Sequence, residues 1–297
     1  MTPTHTETHS RTSRAAWRVI PPLMRVLFVA NRQRTGGWLA EAFSAESVSD
    51  LRLEEVAGSS AGMARLRDDT FDAVHGGQQL RLFNAFYDDY GFQPIVVFDA
   101  DGRFVTALLR PAKRPKGVEI RAFLRRLTRA IRSNWPNVQI LVRADSHYAC
   151  PEVLDWCEAN GLDYVFGLAP TRTLKRHVIG LENSTSSRFR AAPAAGKVRR
   201  FKEFYDAAIT WSRVRRIIAR VEAGSDGTDT RFIVTSLDHG SGRSLYQDLY
   251  CRRGQAENHI KAWKTHLAAD RTSCPKATAN QFRLFLHAGA YWLLWSL

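Results

Sequence analysis

Val138-Gln-Ile-Leu-Val142-Arg-Ala-Asp145, then Pro151-Glu-Val-Leu-Asp-Trp-Cys157, then Gly161 and Tyr164-Val-Phe-Gly-Leu168, is the stretch whose reading decides the fold. Val138 to Val142 is a buried-strand run, and Asp145 lies just past its carboxyl end. Pro151 opens a helix carrying Val153, Leu154, Trp156 and Cys157, and Gly161 closes it as the residue after the cap. Tyr164 to Leu168 is the next strand. Upstream, Gln93-Pro-Ile-Val-Val-Phe98 and Phe104-Val-Thr-Ala-Leu-Leu109 form a hairpin about the turn Asp99-Ala-Asp-Gly102. Val118, Phe123, Leu124, Leu127 and Ile131 follow helical spacing with arginines opposite, Ile120 falls off the main stripe, and Pro136 ends that helix. Hairpin, helix, strand, helix, strand predicts an α/β fold, with a mixed sheet flanked by helices in three layers. In such a sheet an acid just beyond a strand's carboxyl end is well placed for a site.

The flanks are less regular. Residues 1–67 lack a convincing pattern, with short apolar pieces such as Val26-Leu-Phe-Val-Ala30 among Gly, Ser and Arg. Ser59 to Arg67 alternates too poorly for a buried strand. Residues 170–245 carry the basic run Lys197-Val-Arg-Arg-Phe-Lys202 and candidate strands Ala207 to Trp211, Val214 to Val221 and Phe232 to Leu237. They read as a β-rich insertion. The expected division is 1–67, irregular; 68–169, the first part of the sheet domain; 170–245, the insertion; and 246–297, C-terminal helices. The apolar end, Leu284 to Leu297, is too short to span a bilayer and reads as a core helix cut short.

Composition narrows the partners. The 297 residues are 44% hydrophobic and 24% charged, with 43 basic against 29 acidic residues and a formal net charge of +14. An arginine-rich excess of that size points to nucleic acid ahead of an anionic membrane. The four cysteines, Cys150, Cys157, Cys251 and Cys274, show no C-x2-C pairing and read as reduced thiols in a cytosolic protein.

One later stretch carries chemistry: Tyr250-Cys-Arg-Arg253-Gly-Gln-Ala-Glu257-Asn-His-Ile-Lys-Ala-Trp-Lys264. Arg253, Glu257 and Lys264 return to one face of an α-helix, so an acid sits between two cations. Alone, that is the pattern of a surface ion-pair stripe. Alongside Asp68 and Asp145 it also matches metal-assisted phosphodiester chemistry, in which hard oxygen ligands from separate elements hold a divalent ion. Arg143, two before Asp145, points to the same side and either contacts phosphate or pairs with Asp145. The Lys197 to Lys202 run is either a DNA track or a solvated face. His75, Gly76 and Gly77 either shape the loop after the first acid or serve as turn residues.

Asp68-Asp-Thr70, Val74-His-Gly-Gly-Gln-Gln79, Asn84-Ala-Phe-Tyr-Asp-Asp89, Arg143-Ala-Asp-Ser146, Leu154-Asp-Trp-Cys157, the Y-x2-R-x3-E-x6-K stretch, Asp270-Arg-Thr-Ser-Cys274 and Asn280-Gln-Phe-Arg-Leu284 together resemble the DDE transposases of the IS4 superfamily, closest to the IS1380 family of bacterial insertion sequences. The resemblance implies a ribonuclease-H-like sheet with the insertion before the glutamate-bearing helix. It implies that Asp68 (Asp69 is the neighbouring alternative), Asp145 and Glu257 are the catalytic acids and bind two Mg²⁺ or Mn²⁺ ions. It also implies that Tyr250, Arg253 and Lys264 grip transposon-end DNA. The expected activity is strand cleavage at element ends and strand transfer to target DNA. The expected partners are double-stranded DNA and a second copy in a homodimer, in the bacterial cytoplasm at the nucleoid and without a membrane. A truncated, rearranged frame is also expected, whose alternative role is that of a defective fragment that only binds DNA or pairs with intact transposase.

Overall fold

Continuous apolar runs make the central strands, because helices cover both faces of the mixed sheet that collects them. The computed structural model describes residues 23–29, 71–74, 76–193 and 196–297. In the large sheet, Ile95–Asp99 (β5) pairs antiparallel with Phe104–Leu108 (β6) as a hairpin, as the sequence predicts. The strands that follow, Gln139–Ala144 (β7) and Asp163–Leu168 (β8), run parallel to each other. Leu23–Val29 (β1) lies between the hairpin and β7, antiparallel to β5 and parallel to β7. The sheet is completed by Val198–Asp206 (β9), Arg215–Gly224 (β10) and Gly227–Thr235 (β11), giving the order β6-β5-β1-β7-β8-β11-β10-β9. A separate small sheet joins Asp72–Ala73 (β2), Leu82–Asn84 (β3) and Asp89–Phe92 (β4) in the order β2-β4-β3.

Helices cover both faces of the large sheet. Gly117–Asn134 (α1) and Pro151–Ala159 (α2) bury Ile120, Phe123, Leu124, Ile131, Val153 and Leu154 with Ile140, Val142 and Ala144 of β7. Ile120 is fully buried while Val118 is 56% exposed, the reverse of the predicted stripe. The buried set 120, 123, 124, 128 and 131 keeps i, i+3, i+4 steps, and Val118 falls outside it. At the end of α2, Gly161 takes φ +62° and its N–H donates to the Glu158 carbonyl, while Leu162 N–H donates to Cys157 at 2.9 Å. This is a Schellman closure, and it requires the left-handed residue that the sequence supplies as glycine. On the opposite face lie Gly254–Leu267 (α4) and Ala277–Trp295 (α5), packed on Val96, Phe98 and Phe104.

Residues 170–245 depart from expectation. They begin with Arg172–Ala191 (α3), a helix capped by the Thr171 side chain, which accepts from Leu174 N–H. Its buried stripe is thin, Leu174, Val178 and Thr185, among polar residues, so periodicity alone does not reveal it. Ala207 to Trp211 is not a strand. It is a turn closed by Trp211 N–H on the Ala208 carbonyl, with the indole under the Arg215 guanidinium at 5.2 Å. The strand lies just before it, in the basic run itself, because β9 is a sheet edge and tolerates charge.

Arg215 fastens β10 to α2. Its side chain is 2% exposed and reaches Asp155 at 2.6 Å and Glu158 at 2.7 Å, and its Nε donates to the Tyr164 hydroxyl at 3.1 Å. Removing one partner of a buried ion pair leaves uncompensated charge. Arg215→Met is expected to lower the unfolding free energy by about 3 kcal/mol, measured by urea denaturation. A loss below about 0.5 kcal/mol would mean that the cluster does not hold these elements together.

Candidate active site

β7 ends by presenting Asp145. The side chain is buried, and one carboxylate oxygen, Oδ1, accepts from His147 N–H at 2.8 Å, which folds the chain back in a local turn. The other, Oδ2, lies 3.3 Å from His147 Nδ1 and has no hydrogen-bond donor. Behind it the Tyr148 hydroxyl is held far above its ordinary range, first by burial and then by the Asp145 charge.

The stretch from Tyr250 to Lys264 is not one regular helix. Leu245–Tyr250 is π-helical, Cys251–Arg253 forms a 3₁₀ turn, and α4 begins only at Gly254. Leu245 and Tyr246 seat this segment on Leu141, Val165, Ile218 and Ile233 of the sheet. Tyr250 then lies over Gly167 of β8. A Cβ at Gly167 would stand 2.6 Å from the Tyr250 hydroxyl and 3.1 Å from Ser146 N, so only glycine admits the tyrosine beside Asp145. Burial raises the Tyr250 pKa, Arg253 opposes the rise and Asp145 adds to it. Arg253 lies 5.7 Å over the Tyr250 ring and 3.3 Å from Glu257 Oε1. Burial works against the Arg253 charge, but Tyr250, Glu257 and Asp145 outweigh it and raise its pKa. One guanidinium thus feels both acids.

Four of the six expected residues therefore share a neighbourhood: Asp145, Tyr250, Arg253 and Glu257. Asp68, with its alternative Asp69, lies outside the described residues, as does His75. Among the described residues no three His, Cys, Asp or Glu side chains gather as a metal cluster. The donors that are present nevertheless suit a hard cation. Both acids offer oxygen, and Asp145 Oδ2 is buried with no donor to satisfy it.

Lys264, expected at a DNA contact, faces the interior instead. Its Nζ lies 2.8 Å from Asp72 Oδ1 and donates to the Phe71 carbonyl at 3.1 Å, with both side chains almost fully buried. Burial pushes the Asp72 carboxyl up to about 6, against the pull of Lys264 and with a further push from Asp270. Sequence reasoning missed Asp72. The signal was Lys264 itself, on the same face as Ile260 and Trp263, because a cation on a buried stripe requires an anion. The Lys197 to Lys202 run, by contrast, lies at the edge strand β9 with Lys197, Arg199 and Lys202 exposed, although it also makes contacts within the chain. Arg199 lies 2.6 Å from Glu222, Arg200 donates to Ser184 Oγ, and Lys202 donates to the His177 carbonyl. Three of the sequence motifs form one knot. Gln78 donates to the Thr272 carbonyl, Asn280 donates to Gln78 Oε1 and to the Cys274 carbonyl, and Cys274 N–H returns to Asn280 Oδ1.

A mixed sheet with an acid at a strand end, opposed by a helix-borne glutamate and its arginine, is the setting in which the family comparison falls. Residues 67–297 match the transposase DDE domain, group 1, and the chain belongs to that family. No curated protein matches the sequence. Among solved structures, the piggyBac transposase in a synaptic complex with hairpin DNA aligns at 10% identity and a TM-score of 0.42. That alignment covers 75% of this chain and 46% of the other, so the chain spans less than half of that relative's length. Among the described residues no helix is long and apolar enough to cross a membrane.

The Asp72–Lys264 pair has a defined pH signature. Asp72 has a folded pKa of about 6 against an ordinary 3.8, so between those values the folded chain holds more of its proton than the unfolded chain. Its contribution to stability is full below about 4 and falls as pH rises through about 6. Lys264→Met is expected to cost about 3 kcal/mol at pH 8 and clearly less at pH 5. Asp72→Asn combined with Lys264→Met should recover most of the loss. Thermal melts across that range provide the check, and equal losses at both pH values would contradict the buried pair.

Proposed function

We propose that this chain is the transposase of a bacterial insertion sequence, of the IS4 superfamily and nearest its IS1380 family. It would cut DNA at the element's ends and join the freed ends to target DNA. The observation that carries this reading is the buried, donor-free Asp145 Oδ2 at the end of β7, with Glu257 reaching the same arginine from the opposing helix. The strand order β6-β5-β1-β7-β8, with β1, β7 and β8 parallel and β5 antiparallel, supports a ribonuclease-H-like reading of the sheet. In that reading 68–169 and 246–297 form one catalytic domain whose sheet is completed by β1 from within 1–67, and 170–245 is inserted into it.

Asp145 and Glu257, with Asp68 as the third acid, would hold two Mg²⁺ or Mn²⁺ ions. When bound, these ions would favour deprotonation of the attacking hydroxyl and offset charge on the departing oxygen. In cleavage, a water oxygen forms the new bond to phosphorus, the bond to the 3′ oxygen breaks, and that oxygen leaves as a 3′-hydroxyl. In transfer, the 3′-hydroxyl oxygen attacks a target phosphate in the same manner. Arg253 holds Glu257 in place, and with Tyr250 it lines the side from which a DNA strand would approach. Lys264 contributes to DNA binding in this reading only if its pairing with Asp72 opens. Double-stranded DNA, namely inverted repeats and target, is the partner. A homodimer on paired ends and residence at the nucleoid complete the reading.

The test is Mg²⁺-dependent nicking of a duplex carrying the element's terminal repeat. Asp145→Asn and Glu257→Gln should each cut at least about 1,000-fold more slowly while binding the duplex within a few-fold of wild type. Nicking at the wild-type rate by Glu257→Gln would sink the assignment.

A further inference from the structure

We propose that Arg143 is a positioning residue that sets how the helix bearing Glu257 sits against the strand bearing Asp145. The inference rests on the reading of those two acids as members of one site. Along β7, Ile140, Val142 and Ala144 face α1 and α2, whereas Leu141 packs with Leu245 and Tyr246 on the other side. Alternation therefore turns Arg143 toward the π-helical segment, on the same side as Asp145. Arg143 is 2% exposed, which removes it from solvent and from any phosphate in this conformation. Its Nη1 donates to the Leu249 carbonyl at 2.7 Å.

Leu249 occupies a particular place. It is next to last in the π-helical turn, directly before the 3₁₀ turn and the start of α4. Where helical pitch changes, the regular ladder of backbone hydrogen bonds is interrupted and a carbonyl there needs an outside donor. A buried guanidinium meets that need with a permanently charged, planar group, and charge-assisted bonds of this kind are the stronger ones. The bond spans 106 residues of sequence and joins a point two residues before Asp145 to a point eight before Glu257. What depends on Arg143 is the separation of Asp145 and Glu257, and a displacement of about 1 Å in a reacting group can cost on the order of 100-fold in rate.

Arg143→Met removes every donor, and Arg143→Lys keeps a buried ammonium without the planar fork. Two readouts on the full chain test the role. Amide hydrogen exchange over residues 250–257 should be at least about 10-fold faster in Arg143→Met, with β10 and β11 unchanged. The Mn²⁺ concentration giving half-maximal nicking should rise at least about 10-fold, as for loss of other groups that orient metal ligands. Arg143→Lys should be intermediate in both, and it carries the test if the methionine variant does not fold. A merely structural arginine would lower the melting temperature and leave Mn²⁺ half-saturation per folded molecule unchanged. That result, or unaltered exchange at 250–257, overturns the proposal. Nicking by wild type that ignores Mn²⁺ overturns instead the functional reading, while the exchange measurement still decides whether Arg143 holds the helix.

Discussion

Burial of one stripe of α4 on the sheet is the constraint from which the rest of the site follows. Ala256, Ile260 and Trp263 are all but inaccessible, packed with Val96, Phe98 and Phe104 and with Leu284 of α5. The Trp263 ring meets Phe104 at 5.1 Å. Removing a buried tryptophan typically costs about 3–5 kcal/mol, whereas the Arg253–Glu257 pair joins residues four apart on one segment and so does not bear on how the helix is rotated. Packing, not the ion pair, therefore decides how the helix is rotated. Once Ala256 points inward, Glu257 is turned about 100° around the axis, where Arg253 meets it at 3.3 Å.

The same rotation turns one basic residue into a fastener inside the fold, and others serve so from the sheet. Lys264 is carried inward beside Trp263, and desolvating its ammonium would be prohibitive without Asp72 and the Phe71 carbonyl. Arg215 ties β10 to α2. Its neighbour Arg216 points to the other side of the strand, where it meets Glu203 and the carbonyls of Leu237, His239 and Gly240. Arg143 spans from β7 to the π-helical turn. A net charge of +14 thus overstates what the surface offers to a polyanion, since several of these cations are committed to acids and carbonyls within the chain.

The part of the fold that local chemistry dictates was legible in the sequence. The β5–β6 hairpin, β7, α2 with proline at its first turn and glycine after its cap, and β8 follow from periodicity and turn residues that act within a few positions. What was not legible depends on neighbours. β9 reads as a charged run because an edge strand has no need of an apolar face. α3 shows only three buried side chains because it covers the sheet near that edge. Leu23–Val29 is as long as the strands that were legible, but Arg25 interrupts its apolar run, and its place between β5 and β7 is a property of the sheet.

The candidate site divides along the same line. Asp145 after a strand and the Arg253–Glu257 step of four are local regularities, and both appear in the structure as read. The step of seven to Lys264 is geometrically as sound, but helical spacing states only which residues share a face, not what that face meets. One end of this face meets Asp145 and Tyr250, and the other meets Asp72. The break at residues 245–253 sharpens the point. A continuous α-helix would place Tyr250 by its spacing from Glu257 alone, whereas here the space above Gly167 and the anchoring of Leu249 by Arg143 place it. The spacing of the stretch states which residues share a face, and tertiary contacts from β7 and β8 determine which of them come together.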